Sequence, residues 1–259
     1  IAAVARGCDL LVVSHVFYAT GQLLQRLPDV VAAAHRAGAL VVLDTYHSAG
    51  VMPVGFDELG PDFAIGGNYK YTRGGPGAGW LAIHPRHLAG ADGRTPADHP
   101  LLRPTLDTGW FAKRDTFGFQ RPEQPLREPG GDAWLENTPT AAVWYQARSG
   151  LRLTLALGVE RLRAYSLQQQ AFLVERLRER GVPVRDLSPR GAYVLVPAGD
   201  HNAAVSALKA RGVNSDARLG HVRLCPDILN TRDEMARAAE IVAGVLATTA
   251  GLALGAGVR

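Results

Sequence analysis

Cysteine is scarce in this chain of 259 residues, which contains only Cys8 and Cys225. Two cysteines are too few for a disulfide framework or a cysteine-rich metal site. The sequence therefore predicts no metal centre and a reducing compartment, the cytoplasm by default. No signal peptide is predicted from the first residues, and the apolar tail 242–258 is too short and too rich in glycine and threonine for a membrane span.

Lysine is almost as rare, because the positive charge comes mainly from arginine and the only lysines are Lys70, Lys113 and Lys209. The formal net charge is +4, from 28 Lys+Arg against 24 Asp+Glu. The arginines are scattered over predicted helix faces, whereas a nucleic-acid binder concentrates them in one patch interleaved with aromatic residues. A nucleic-acid partner is therefore not predicted.

Residues 9–84 alternate between short apolar runs and a helical pattern. The helix is predicted over Leu27 to Arg36, between Pro28 in its first turn and Gly38 beyond its end. The runs predict buried strands, at Leu10 to Val16, Ala39 to Leu43, Asp62 to Ile65 and Trp80 to Ile83. Strands joined by helical crossovers favour an α/β fold with a mostly parallel sheet.

The rest of the chain predicts an ordered loop region and then a smaller α+β domain. Prolines interrupt residues 89–138, while aromatic residues such as Trp110 argue for packing. Further elements are predicted as strands at Val182 to Arg185, Ala192 to Val196 and His221 to Leu224, and as helices at Leu162 to Arg180, Asn202 to Arg211 and Arg232 to Leu246, the last capped by Thr231. The predicted division is 1–138 for a large domain, 139–165 for a connecting helix and 166–259 for a small domain. Because the chain opens inside a predicted helix at 1–6, we expect an N-terminal part of the large domain to be missing.

Two polar segments follow predicted strands and carry the chemistry of the sequence. Asp44 ends a buried strand, where open α/β sheets place ligand sites, and a carboxylate there needs a partner such as a protonated pyridine nitrogen. Lys70 lies 26 residues later, flanked by tyrosines and followed by glycines. A partly desolvated amine there could form an imine with an aldehyde. Taken singly, Asp44 is more often a helix cap or loop anchor, His47 an ordinary histidine and Lys70 a solvated lysine.

Taken together, these segments resemble the class V aminotransferases, which are fold-type I enzymes that use pyridoxal 5′-phosphate (PLP). Three stretches are most similar to the kynureninase branch: SHVFYATGQ (14–22), AGALVVLDTYH (37–47) and NYKYTRGGPG (68–77). The resemblance implies a large PLP-binding domain with a mostly parallel sheet and a smaller C-terminal α+β domain. It also implies an amino-acid substrate and a homodimer with sites at the subunit interface.

The resemblance assigns a role to each matching position. Lys70 would hold the cofactor as the internal-aldimine lysine and move the Cα proton, Asp44 would pair with the pyridine nitrogen, and His47 would lie beside the ring. The phosphate ligands would be tyrosine and tryptophan side chains, namely Tyr18, Tyr69 and Trp110. Asn137 would lie near the substrate side chain. Arg223 would bind the substrate α-carboxylate, which suits a guanidinium fork. The alternatives are packing for Trp110, helix capping for Asn137 and a structural salt bridge for Arg223.

The substrate pocket departs from the kynureninase pattern at two positions. Lys113 stands where a histidine is usual, and Glu136 stands where a small polar residue is usual. Lys113 either pairs with Glu136 or selects an acidic substrate. Hydrolytic cleavage of a Cβ–Cγ bond is favoured. Transamination, epimerisation, cysteine desulfuration and an inactive truncated homologue are the alternatives, and desulfuration ranks low because Cys225 is predicted to be buried.

Overall fold

A computed structural model describes residues 7–88, 109–121, 123, 126–185 and 188–255, and the side chains of the last helix as far as 248. The helix predicted at 1–6 lies outside the described residues, as does the first part of the proline-interrupted segment, 89–108.

A four-stranded sheet forms the N-terminal half, with the order β1-β2-β3-β4. Its strands are β1 (Leu10–Ser14), β2 (Leu40–Asp44), β3 (Phe63–Gly67) and β4 (Gly79–Ile83). The first three are parallel and β4 is antiparallel to β3. The predicted mostly parallel α/β sheet is confirmed, and each strand lies within two residues of its predicted bounds.

The crossover between β1 and β2 contains helix α1 (Leu27–Arg36), which has the predicted bounds. Its buried residues Leu27 and Val31 pack on the inner side of β2, where Val41 and Leu43 are fully buried. The short helix α2 (Phe56–Leu59) precedes β3. This apolar cluster fixes the strand ends at which Asp44 and the loop containing Lys70 emerge.

Two helices, α3 (Ala141–Leu157) and α4 (Val159–Arg178), follow the loop region. The sequence predicted one connecting helix over 139–165, but Gly158 interrupts it with φ 83°. A left-handed φ of this kind is strained for residues with a side chain and ends a helix readily at glycine. Gly150 lets α3 pack directly against the chain after Lys70, because a Cβ there would lie 2.3 Å from the Arg73 carbonyl carbon.

A second, antiparallel sheet lies in the C-terminal half, with the order β5-β7-β6. Its strands are β5 (Val194–Pro197), β6 (Asp216–Arg218) and β7 (His221–Leu224), and its helices are α5 (His201–Ala210) and α6 (Arg232–Gly255). A second apolar cluster joins this sheet to α4 and α6. The strand predicted at 182–185 is wrong, since only Arg185 forms a bridge, to Leu195. β6 was not predicted.

The described part of the segment 109–138 contains three short 3₁₀ turns, Trp110–Ala112, Thr116–Gly118 and Gly130–Trp134. Trp134 packs on Phe63 of β3 with ring centroids 5.4 Å apart, as expected for an ordered loop that packs on the sheet. Within the part of the chain that the structure describes, no helix is long and apolar enough to cross a membrane.

Candidate active site

Asp44 lies at the carboxyl end of β2, as predicted, and its carboxylate is held by its neighbours. Ser14 at the end of β1 donates its hydroxyl to Oδ2 at 2.8 Å, and the Tyr46 backbone N–H donates to Oδ1 at 2.9 Å. These two bonds fix the carboxylate plane and leave acceptor capacity on both oxygens. Asp44 can therefore still accept a hydrogen bond from a cationic ligand at the sheet edge.

Lys70 and His47 meet at this edge, although 23 residues separate them. Lys70 Nζ lies 2.9 Å from His47 Nε2. His47 sits in the turn after β2, and Lys70 sits in the turn between β3 and β4. Because β2 and β3 are parallel neighbours, their carboxyl-end turns lie side by side.

The electrostatic environment of this pair favours the neutral form of both groups. Burial, together with the nearby charges of Lys70 and Arg223, lowers the pKa of His47 to about 4 against the opposing effect of Asp44. Burial also lowers the pKa of Lys70, although Asp44 partly opposes that shift. A lysine with a lowered pKa is a better nucleophile at neutral pH.

Two tyrosine rings flank the Lys70 amine. Lys70 Nζ lies 5.3 Å from the centroid of the Tyr46 ring and 5.5 Å from that of Tyr69, within the range of cation–π contact. Gly67 permits the rings to approach, because a Cβ there would lie 2.5 Å from Tyr46 and 2.9 Å from Tyr69. Tyr46 was not predicted as a site residue, although it lies inside the segment that carries Asp44 and His47.

Cys225 follows β7 and is exposed as a residue. The prediction that it is buried is therefore wrong. Its sulfur nevertheless has partners, since it donates to the Ala192 carbonyl at 3.4 Å and lies 3.6 Å from the Tyr71 hydroxyl. Desolvation raises the pKa of its thiol. The side chain is therefore held in the protonated form, which is a poor nucleophile.

Arg223 lies on β7 and reaches the same site from the second sheet. Its Nε donates to Asp216 Oδ1 at 2.5 Å, and its Nη2 bonds to Asp216 Oδ2. Its Nη1 donates to the Tyr18 carbonyl at 2.6 Å. Its charge is close enough to lower the pKa of both Lys70 and His47. The structure thus brings Arg223 to the predicted site and also pairs it with an aspartate that sequence reasoning did not identify.

Tyr193 is a second residue that the sequence reasoning missed. Its ring lies 4.9 Å from the Arg223 guanidinium carbon and 5.8 Å from the His47 ring. Its hydroxyl lies within hydrogen-bonding distance of the Phe17 and Tyr18 carbonyls. Tyr193 therefore joins the loop after β1 to the second sheet, beside His47.

The two predicted tyrosine ligands of the phosphate are exposed. Tyr69 is 53% exposed and its ring borders Lys70, whereas Tyr18 is 57% exposed and contributes its carbonyl to Arg223. Both hydroxyls are thus open to a ligand. The structure places the Tyr69 ring, and only the Tyr18 backbone, against the other site residues.

Trp110 and Lys113 make their hydrogen bonds and ring contacts within residues 109–138. Trp110 donates its indole N–H to Thr138 at 3.1 Å, and Lys113 lies 3.5 Å from the Gln120 carbonyl. Glu136 accepts from the Gly109 backbone N–H at 2.9 Å. The contacts described for Lys113 and Glu136 are therefore with other groups, so the alternative in which they pair is wrong.

Asn137 is exposed and precedes α3 without capping it. The N-cap of α3 is Thr140, three residues further on. The capping alternative for Asn137 is therefore wrong. Its predicted role near the substrate side chain stays a prediction.

The donor set at the Lys70 edge suits an organic cofactor. Nδ1 of His47 is buried and lacks a hydrogen-bond partner among the described residues. A bound ligand could supply the missing hydrogen bond to this nitrogen. An amine, an anchored carboxylate and flanking aromatic rings match the aldehyde, cationic nitrogen and planar ring of PLP. Over the same residues, no group of three or more His, Cys, Asp or Glu side chains could hold a metal ion.

Comparison with known proteins agrees with this chemistry. Residues 2–106 match the family model of class V aminotransferases. The kynureninase of Geobacillus thermodenitrificans is 31% identical over 248 residues, which cover 90% of this chain and 54% of that protein. This chain is similar to the class V aminotransferase family, and the family match lies on residues 2–106. The kynureninase of Salinispora tropica is also 31% identical, over 81% of this chain and 48% of its own length.

Solved structures give the same fold. A cysteine desulfurase from Thermococcus onnurineus superposes with a TM-score of 0.75 over 93% of this chain and 60% of that one, at 19% identity. A cystine lyase variant, C-DES, with glycine covalently linked to its PLP cofactor superposes with a TM-score of 0.74 at 21% identity. Identities this low show the fold-type I architecture alone.

The similarity to this family indicates a cofactor, and the relatives show how much of their length this chain spans. PLP is the cofactor of this family, as the sequence resemblance implied. The chain spans about half the length of the curated relatives that it matches.

Proposed function

We propose that this chain forms the PLP site of an enzyme that acts on an amino acid, with kynureninase-like hydrolytic cleavage of a Cβ–Cγ bond as the favoured reaction. The observation that carries the proposal is the contact of 2.9 Å between Lys70 Nζ and His47 Nε2, at the strand end that holds Asp44. In this arrangement a nucleophilic amine, a proton-accepting ring and a fixed carboxylate face one space.

Bound PLP supplies an electron sink that stabilises negative charge at the substrate Cα. Asp44 would hold the pyridine nitrogen in its protonated form, because Ser14 and the Tyr46 N–H already orient the carboxylate. Lys70 would bind the aldehyde carbon and, once released by substrate, would take the Cα proton on Nζ. Its lowered pKa suits both tasks.

The other predicted residues would bind phosphate and substrate. Tyr69, Tyr18 and Trp110 are proposed phosphate ligands, and the exposure of both tyrosines leaves their hydroxyls accessible. Asn137 and Lys113 are proposed to face the substrate side chain. Arg223 is proposed to bind the substrate carboxylate.

The kynureninase-like reaction is preferred over the other class V reactions on two grounds. Relatives at about 31% identity are kynureninases, whereas the desulfurase and lyase structures are under 25% identical and inform the fold only. A desulfurase also needs a reactive thiolate. Desolvation raises the pKa of the Cys225 thiol, although its hydrogen bond with Tyr71 lowers it, and the raised pKa opposes that role.

Assembly and organisation form part of the proposal. We propose a homodimer in the cytoplasm, with a large domain at 1–138, a connecting segment at 139–165 and a small domain at 166–259. Two separate apolar clusters, one around α1 and β2 and the other around β5, β7 and α6, support the division.

The direct test of cofactor binding is the visible spectrum of the protein with PLP. Wild type and Lys209→Ala, a substitution at an exposed position on α5, should both develop the band of lysine-bound PLP. Lys70→Ala should not. An unchanged spectrum in Lys70→Ala would contradict the assignment.

The reaction is tested by the products formed from a panel of amino acids. Release of alanine from kynurenine is the expected result. Release of sulfide from cysteine, or of a keto acid by transamination, would overturn the preferred reaction and leave the PLP site standing.

A further inference from the structure

Asp216 and Arg223 form a cross-strand pair in the second sheet. They face each other in the register of β6 and β7. Asp216 binds the Nε–Nη2 edge of the guanidinium with both carboxylate oxygens, at 2.5 Å for Nε. A bidentate bond of this kind fixes the plane of the guanidinium as well as its position.

Two further contacts hold the remaining sides of the Arg223 head group. Nη1 donates to the Tyr18 carbonyl at 2.6 Å, and the Tyr193 ring lies 4.9 Å from the guanidinium carbon. The three hydrogen bonds to Asp216 and Tyr18 use three of the five N–H groups. The guanidinium therefore keeps donors for an incoming carboxylate while Asp216 remains in place.

The exposed fractions of the Arg223 and Asp216 side chains also agree with a role for Asp216 in orienting the arginine. The Arg223 side chain is 13% exposed, whereas that of Asp216 is 40% exposed. A surface ion pair contributes little to stability because water competes for both partners. In this pair Arg223 is the more buried member. The main effect of its bond to Asp216 is therefore to fix the orientation of the guanidinium.

We propose that Asp216 is a positioning residue that holds Arg223 in the orientation needed to bind the carboxylate of an amino-acid substrate. This inference rests on the proposed function, in which Arg223 is the carboxylate ligand. Without Asp216 the guanidinium would lose the bond that fixes its plane. Selectivity for a carboxylate over an uncharged group at the same position would then fall.

The test compares L-alanine, the product of the proposed cleavage, with L-alaninamide, which lacks the carboxylate. Both are titrated at equilibrium into the PLP-loaded protein, and binding is followed by the change in the visible spectrum. Asp216→Ala and Asp216→Asn should weaken alanine binding about tenfold and leave alaninamide binding within about twofold of wild type. Asp216→Glu should restore part of the loss.

Two controls separate positioning from general structural damage. The thermal unfolding midpoint identifies any variant that fails to fold. In an Arg223→Gln background, Asp216→Asn should have no further effect on the preference for alanine.

Equal losses for alanine and alaninamide would overturn the inference, because they would indicate a structural role. Tighter alanine binding in Asp216→Asn would also overturn it, since Asp216 would then compete with substrate for the guanidinium. If the wild type bound PLP but neither ligand, the proposed function would fail together with the inference. An unchanged preference in the variants, with normal wild-type binding, would refute the inference alone.

Discussion

Removing the charge of Asp62 should destabilise the protein strongly without altering the PLP site. Asp62 is 2% exposed and lies just before β3, at the opposite end of the strand from the Lys70 turn. It accepts from the Val41 backbone N–H at 2.7 Å and bonds to three cationic or titratable side chains, those of His35, Arg86 and His87. The carboxylate therefore ties β2, α1 and the turn after β4 together.

The expected cost follows from the partners that Asp62→Asn leaves behind. Breaking a buried ion pair by removing one charge costs about 3–5 kcal/mol. The Arg86 side chain is 29% exposed and keeps its bond to the Gly60 carbonyl, so partial hydration favours the lower end, about 3 kcal/mol. Asp29→Asn is the matched control, because Asp29 forms an exposed pair with Arg26 that should contribute less than about 1 kcal/mol.

Urea unfolding at several pH values provides the assay. Hydrogen bonds from His87 and His35 hold the pKa of Asp62 well below its usual range, against the opposing effect of burial. The stabilisation is therefore present above the unfolded carboxyl pKa of 3.8 and is lost as pH falls below it. Asp62→Asn should lack this acid-dependent loss. A variant within about 1 kcal/mol of wild type at neutral pH would refute the reasoning.

Three further predictions concern local features. Gly150→Ala should weaken PLP binding, because its Cβ would meet the Arg73 carbonyl, whereas Gly244→Ala, which faces open space, should leave titrated PLP affinity unchanged. Wild type should lose stability as pH falls from 6.5 to about 4, because the native state resists protonation of His47. His47→Gln should make this loss of unfolding free energy smaller by about 1–2 kcal/mol after solvent screening. Equal acid sensitivity of the two proteins in urea unfolding would contradict this. Thr231→Ala should cost about 1 kcal/mol in the same assay, because Thr231 and Glu234 cap α6 reciprocally; no loss would argue against the cap.

The first sheet was predictable because its sequence signals are local. The apolar runs that became β1 to β4 each end in polar or glycine-rich turns, and α1 has Pro28 in its first turn and Gly38 beyond its end. Asp44 was predicted at the end of a strand and Lys70 in a loop further along the chain, and parallel pairing of β2 and β3 brings the two turns together. Family resemblance supplied the roles.

What sequence reasoning missed depends on long-range pairing. The three-residue strand β6 has no periodic signal of its own, and it exists because Asp216 and its neighbours pair with β7. Tyr193 reaches the site only through the packing of β5 against the loop at Phe17 and Tyr18. The strand predicted at 182–185 does not form, because only Arg185 pairs with another strand residue, Leu195.

The central claim is that Lys70 holds the cofactor, and its most direct measurement is the identification of the modified lysine. Protein loaded with PLP is reduced with borohydride, digested and analysed by mass spectrometry. The chain has only three lysines, so a label on lysine must lie on Lys70, Lys113 or Lys209. We expect stoichiometric label on Lys70 alone. Label on Lys113 or Lys209, or no covalent label, would contradict the claim.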